Sequence, residues 1–128
     1  MFRLNIDYGS AMPIYEQVCQ GLKLEILAGR LKDGDLMPPI RELAKILKLN
    51  PNTVAKAYDN LEKEGLVTSK RGSGNWISSR KADLDSLRRG MLEDEFRNFI
   101  TRSFSLGAKR KDIINLMTEY VNHEPRSD

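Results

Sequence analysis

Residues 36–63 read LMPPIRELAKILKLNPNTVAKAYDNLEK, and they leave few folds open to this chain. Ile40, Leu43, Ala44 and Leu47 recur at helical spacing, so the sequence predicts a short amphipathic helix over Pro39–Lys48. Leu49 and Asn50 break that period. Pro51 suits the first position of a second helix, where its missing N–H costs nothing. Asn50 before it is a good N-cap, and Val54, Ala57, Tyr58 and Leu61 form the next buried stripe. Gly65 follows the last periodic residue as a C-cap. Two short helices across a tight turn, the second opening on small polar residues, spell a helix-turn-helix, a unit that reads DNA.

The flanks fit that unit. Phe2–Ile6 alternates apolar and polar residues, the pattern of a short half-buried strand. Pro13 then starts a helix with Ile14, Val18, Leu22 and Ile26 on its stripe and Gly29 at its end. Cys19, beside Tyr15 and Leu22, reads as a small buried hydrophobe. Lys32-Asp33-Gly34-Asp35 is a turn signature, and Asp35–Met37 has room for one extended bridge. Downstream, 66–70 and 75–78 are β-prone runs around Arg71-Gly72-Ser73-Gly74, which makes a hairpin. Such a hairpin, placed straight after the second helix, is a wing. Trp76 and Ile77 fall on opposite faces of it, so one should pack on the helices and the other should lie outside or near the C-terminal region. Arg71–Gly74 superficially looks like a phosphate-cradling loop, but no helix and no Gly-Lys-Ser/Thr ending follow it.

Charge placement supports the same reading. Residues 1–80 hold twelve Lys or Arg against nine Asp or Glu, while 81–128 hold nine of each. Residues 66–80 contain Lys70, Arg71 and Arg80 and no acid. A basic strip of this kind suits a phosphate-contacting surface, and equally a solvated loop. No apolar run approaches the roughly 20 residues needed to cross a bilayer, no signal peptide opens the chain, and the single cysteine rules out an internal disulfide. These features point to the cytoplasm.

Beyond Arg80 the pattern changes. Leu84, Leu87, Met91, Leu92, Phe96, Phe99, Ile100 and Phe104 give a long helix with a wide apolar face, with Gly90 inside it as a bend or a close contact. Leu106-Gly107 ends it. A second helix is expected from about Lys109 to Asn122, with Ile113, Ile114, Met117, Tyr120 and Val121 on one face. Ala108 supplies no capping side chain, so its first turn should fray unless packed. Two helices alone cannot bury so much apolar surface, and Leu92, Phe96, Phe99, Ile100, Phe104, Ile113, Met117, Tyr120 and Val121 are the candidate dimerisation residues. His123–Asp128 should be disordered.

Four stretches, PIYEQV, AGRLKDGDLMPPIRELAKIL, NPNTVAKAYDNLEKEGLV and RGSGNWIS, resemble the GntR family of bacterial transcription regulators in residues and in spacing. The resemblance spans Pro13 to Ser78. It implies a mainly α fold with a small β wing: a winged helix-turn-helix over 1–79 and a two-helix dimerisation domain with its tail over 80–128. It also implies that Arg41 contacts DNA, a role its guanidinium can fill at a guanine edge or a phosphate. Arg71 and Gly72 match the wing-tip positions that enter the minor groove.

The residues themselves add Asn52 and Thr53, which open the second helix within reach of bases or phosphates near its N-terminal amides. Lys56, a turn further on the exposed side, is a phosphate partner, and Tyr58 continues the core stripe. Lys70 joins the set on the basic strip. Three positions depart from the family: Pro39 stands where serine is usual, Pro51 where many members carry a basic residue, and Asn75-Trp76 where Thr-Phe is common.

The short tail resembles the YtrA subfamily, whose members dimerise through it and often repress operons for ABC transporters. The expected function is that of a dimeric repressor on an inverted-repeat operator. The alternative from another class is a winged-helix protein-interaction module without sequence-specific DNA binding. An enzyme is not expected, because the only histidine lies in the tail and no carboxylate pair or metal-ligand cluster converges. No cofactor or metal is implied, and the tail has little room for a pocket of roughly several hundred cubic ångströms.

Overall fold

A computed structural model describes residues 4–124. The first helix, α1 (Ile14–Leu27), follows Pro13 and buries Val18, Cys19, Leu22 and Ile26. The strand expected over Phe2–Ile6 is not formed at residues 4–6, and residues 2 and 3 lie outside the described residues. A side-chain amide takes the place of a partner strand. The Asp7 N–H donates to Gln17 Oε1 at 2.7 Å, and Gln17 Nε2 donates to the carbonyls of Asp7 at 2.9 Å and Met12 at 3.0 Å. The alternation still places Leu4 and Ile6 against the core. Leu4 lies so close to Gly21 that a Cβ there would collide with it.

Helix α2 (Ile40–Leu47) ends with Lys48 in the left-handed region at φ 58°. The Leu49 N–H donates back to the Ala44 carbonyl at 2.9 Å, so this is a Schellman ending built without glycine. Helix α3 (Pro51–Lys63) follows, with Asn50 as the expected N-cap: its side chain accepts the Asn52 N–H at 2.8 Å. Val54, Ala57, Tyr58 and Leu61 are all buried, as their spacing predicts. Tyr58, 2% exposed, donates its hydroxyl to the Pro38 carbonyl at 2.6 Å and so ties α3 to the residues just before α2.

Strands β1 (Val67–Lys70) and β2 (Gly74–Ile77) pair antiparallel, with Val67 opposite Ile77 and Lys70 opposite Gly74. Gly34–Met37 runs along the other edge of β2. Gly34 N–H donates to the Ile77 carbonyl at 2.9 Å, Ile77 N–H to that of Asp35 at 2.8 Å, and Met37 N–H to that of Asn75 at 2.8 Å. The extended bridge expected at 35–37 is Leu36 with Trp76. Ile77 is buried in the core, and Trp76 lies half-exposed on the other face.

The chain's contacts group into residues 1–88 and 89–128. Helix α4 (Lys81–Ser105) begins in the first group, where Leu84 and Leu87 pack on the core. It continues through Gly90, and a Cβ at that glycine would meet nothing within 4 Å, so no close contact among the described residues explains it. Leu106-Gly107 ends α4, and α5 (Arg110–His123) starts from Lys109. Its first turn is held from inside: the Asp112 carboxylate accepts the Lys109 N–H at 3.3 Å, the half of a capping box that a lysine N-cap leaves open. Within residues 89–124 only Ser103 and Ile113 are buried. Of the tail expected to be disordered, His123 instead closes α5 and Glu124 caps it, while residues 125–128 lie outside the described residues. Among the described residues no helix is long and apolar enough to cross a membrane.

Candidate nucleic-acid interface

The start of α2 leaves backbone donors free. Pro38 and Pro39 lead into it, no side chain caps it, and the N–H groups of Ile40, Arg41 and Glu42 have no acceptor among the described residues. Free amides at the positive end of a helix dipole favour a phosphate. Arg41 sits in this first turn, exposed and in no ion pair among the described residues; in particular, it is not paired with its neighbour Glu42. The start of α3 behaves differently. Its Asn52 N–H goes to the Asn50 side chain, and its Thr53 N–H goes to the Asn50 carbonyl at 3.0 Å. The amides expected to attract an anion at α3 are therefore engaged, and the free set lies on α2.

On α3, Asn52 and Lys56 are four residues apart on the exposed face, while Thr53 is half-buried at its edge. The Asn52 carboxamide makes no hydrogen bond among the described residues, which leaves its donors and its acceptor open. Lys56 carries its ammonium 3.8 Å from the centroid of the Tyr15 ring, a contact between α1 and α3 that nothing local in the sequence signals. In the wing, Lys70 stands 5.4 Å from the Trp76 centroid.

The wing tip is closed by the Ser73 N–H donating to the Lys70 carbonyl at 2.9 Å, with Gly72 at φ 75°. A side chain resists that angle, whereas glycine adopts it freely. Arg71, Gly72 and Ser73 are exposed, and the space around Gly72 is open. The hairpin is held to α3 by the Ser69 N–H donating to Glu62 Oε2 at 3.0 Å. The Trp76 indole N–H is buried without an acceptor among the described residues.

Two titratable groups support this frame. Burial, with the Glu42 charge adding, pushes the Tyr58 phenol far above its ordinary range. It therefore remains a neutral donor that holds Pro38 and, through it, the start of α2. Burial also pushes the Cys19 thiol up, against the pull of Lys23, and with 5% exposure the cysteine is a core hydrophobe as expected.

A second surface lies on residues 89–124. Leu92 (54% exposed), Phe96, Phe99 (43%), Ile100, Phe104, Tyr120 (63%) and Val121 are all open to solvent. Met117 is half-buried, and Ile113 is buried. Leu92, Glu95, Phe96, Phe99 and Met117 line an apolar groove of about 290 Å³. Among the described residues no cluster of His, Cys, Asp and Glu could hold a metal ion.

Residues 14–77 match the family described as bacterial regulatory proteins, gntR family. The chain is 40% identical over 107 residues to the HTH-type transcriptional repressor YtrA of Bacillus subtilis (strain 168), an alignment covering 83% of this chain and 82% of that protein. Among solved structures, a GntR family transcriptional regulator from Listeria monocytogenes superposes with a TM-score of 0.76 at 29% identity, over 88% of this chain and 98% of that one. YtrA from Sulfolobus acidocaldarius, a GntR-family transcription factor, superposes with a TM-score of 0.60 at 35% identity, over 80% and 97%.

Proposed function

Because the chain belongs to the gntR family of bacterial regulatory proteins and is a DNA-binding transcriptional regulator, we propose that it works as a homodimeric repressor on an inverted-repeat operator. Membership of a family of regulators displaces the protein-interaction module and speaks against an enzyme. In this reading each copy sets α3 in a major groove, with Arg41 and Asn52 on bases or phosphates. Thr53 and Lys56 flank them, and Lys70, Arg71 and Gly72 follow the adjacent minor groove.

The observation that carries the dimer is the exposed apolar face of α4 and α5. Phe96, Phe99, Ile100 and Phe104 lie within nine residues of one helix, and all are open to water. A patch of that kind on a lone chain invites association, and two copies about a two-fold axis cover both faces at once. The likeness to YtrA extends past the winged domain and supports repression. An ABC-transporter operon as the target and the cytoplasm as the place of action rest on the subfamily resemblance of the tail and on the sequence features given above.

Sedimentation of the whole chain, followed by a gel-shift titration on the promoter of its own operon, tests this. The expected result is a dimer at micromolar concentration that prefers paired half-sites. Arg41→Ala should lose about 1–3 kcal/mol of binding there. A monomer that still binds tightly would overturn the dimer, and wild-type affinity from folded Arg41→Ala would remove Arg41 from the contact.

A further inference from the structure

We propose that Tyr15 is a positioning residue for the DNA contact made by Lys56, which rests on the reading that Lys56 meets a backbone phosphate. A lysine on an exposed helix face samples many rotamers, and binding one phosphate freezes them. Here the side chain is already held. Its ammonium sits 3.8 Å from the Tyr15 centroid, at the separation where the negative face of an aromatic ring attracts a cation.

The ring is fixed in its turn. Tyr15 lies in the first turn of α1, with Val18, Cys19 and Leu22 anchoring that helix in the core. The Lys23–Glu64 ion pair, at 2.8 Å, joins α1 to the far end of α3. The Tyr15 hydroxyl donates to Glu16 Oε1 at 3.2 Å in an exposed bond, on which the ring's hold on Lys56 does not depend. A ring covers only one side of an ammonium. Lys56 makes no ion pair and no hydrogen bond among the described residues, so its N–H donors stay available to an anion. An ordered lysine that keeps its donors open raises affinity for any duplex equally, because phosphates carry no sequence.

The test is a double-mutant cycle read by fluorescence anisotropy over a salt series, with the promoter duplex and a scrambled duplex as probes. Tyr15→Leu should weaken both duplexes alike, by about two- to fivefold, the range of an exposed cation–π contact. Tyr15→Phe, which keeps the ring, should bind like the wild type. In a Lys56→Met background, Tyr15→Leu should have no further effect. Should Tyr15→Leu fold poorly, pentafluorophenylalanine at position 15 gives the reading instead. It keeps the shape of phenylalanine and reverses the charge of the ring face, so it should bind more weakly than Tyr15→Phe. Equal loss from Tyr15→Leu with and without Lys56, or a fluorinated ring as good as phenylalanine, would overturn the proposal. Wild-type affinity and salt slope from Lys56→Met would instead remove the underlying contact, and the proposal with it. Loss from Lys56→Met alone, with every Tyr15 variant at wild-type affinity, would remove Tyr15 only.

Discussion

Tyr58→Phe removes one oxygen and leaves the buried ring in place, so its effect isolates the hydrogen bond from α3 to Pro38. The bond is short, 2.6 Å, and gives the Pro38 carbonyl its only donor among the described residues. A neutral bond of this kind contributes about 1 kcal/mol net, and up to about 2 if the carbonyl stays dry when abandoned. For a unit of this size, about 1 kcal/mol lowers Tm by roughly 4–8 °C.

The pH dependence makes the prediction sharper. The folded phenol titrates above the ordinary 10.0 because burial, then the Glu42 charge, disfavour the phenolate. A raised folded pKa means that the stabilisation is complete below the unfolded value and is lost as pH rises beyond it. One unit above that value, ionisation stabilises the unfolded chain by about 1.4 kcal/mol, enough to offset the bond. Phenylalanine has no proton to lose, and every other group titrates alike in both proteins. Guanidinium unfolding should therefore show wild type ahead of Tyr58→Phe by about 1 kcal/mol at about pH 8, with the gap closed near about pH 11. A gap of the same size at both pH values would refute the reasoning, as would no gap at the lower one.

Three further outcomes are expected. Lys48 holds φ 58° without being glycine, so Lys48→Gly should raise the unfolding midpoint, by about 1 kcal/mol of stability; a lower midpoint would deny the strain. Gly90 sits inside α4 facing open space, so Gly90→Ala should stabilise by up to about 1 kcal/mol in thermal unfolding, and a loss would reveal a contact at that point. Phe99→Asp should turn the dimer into monomers in sedimentation and abolish the preference for paired half-sites, because an unpaired charge in an apolar interface costs several kcal/mol, about 2 or more. A dimer that survives it would place the interface elsewhere.

What the sequence disclosed was local. The stripe of Val54, Ala57, Tyr58 and Leu61, the Asn50 cap and the glycine-rich wing tip all follow from residues a few positions apart, and the structure bears them out. What it concealed was contact at a distance. Gln17 satisfies the backbone at Asp7, so an alternating stretch packs as extended chain and forms no strand at residues 4–6. The free amides proved to be those of α2, because Asn50 closes the start of α3 with both its side chain and its carbonyl. Tyr15 reaches Lys56 across 41 positions, and no periodicity reports on such a pair. Asp112 rescued a helix start that the preceding residue could not cap, a signal present in the sequence three positions further on.

The strip of chain laced along β2 bears on how an operator would be spelled. Asn75, just past the wing turn, is bonded to Met37, and Arg41 follows four residues later. In the proposed complex the wing and the start of α2 are thus linked through one hydrogen-bonded ribbon, which couples their movements. A flank whose narrow groove draws the wing inward should also carry the first turn of α2 with it. Base preferences beneath the wing and beneath Arg41 should then act as a joint word, with paired substitutions combining non-additively, and not as separate letters scored one at a time.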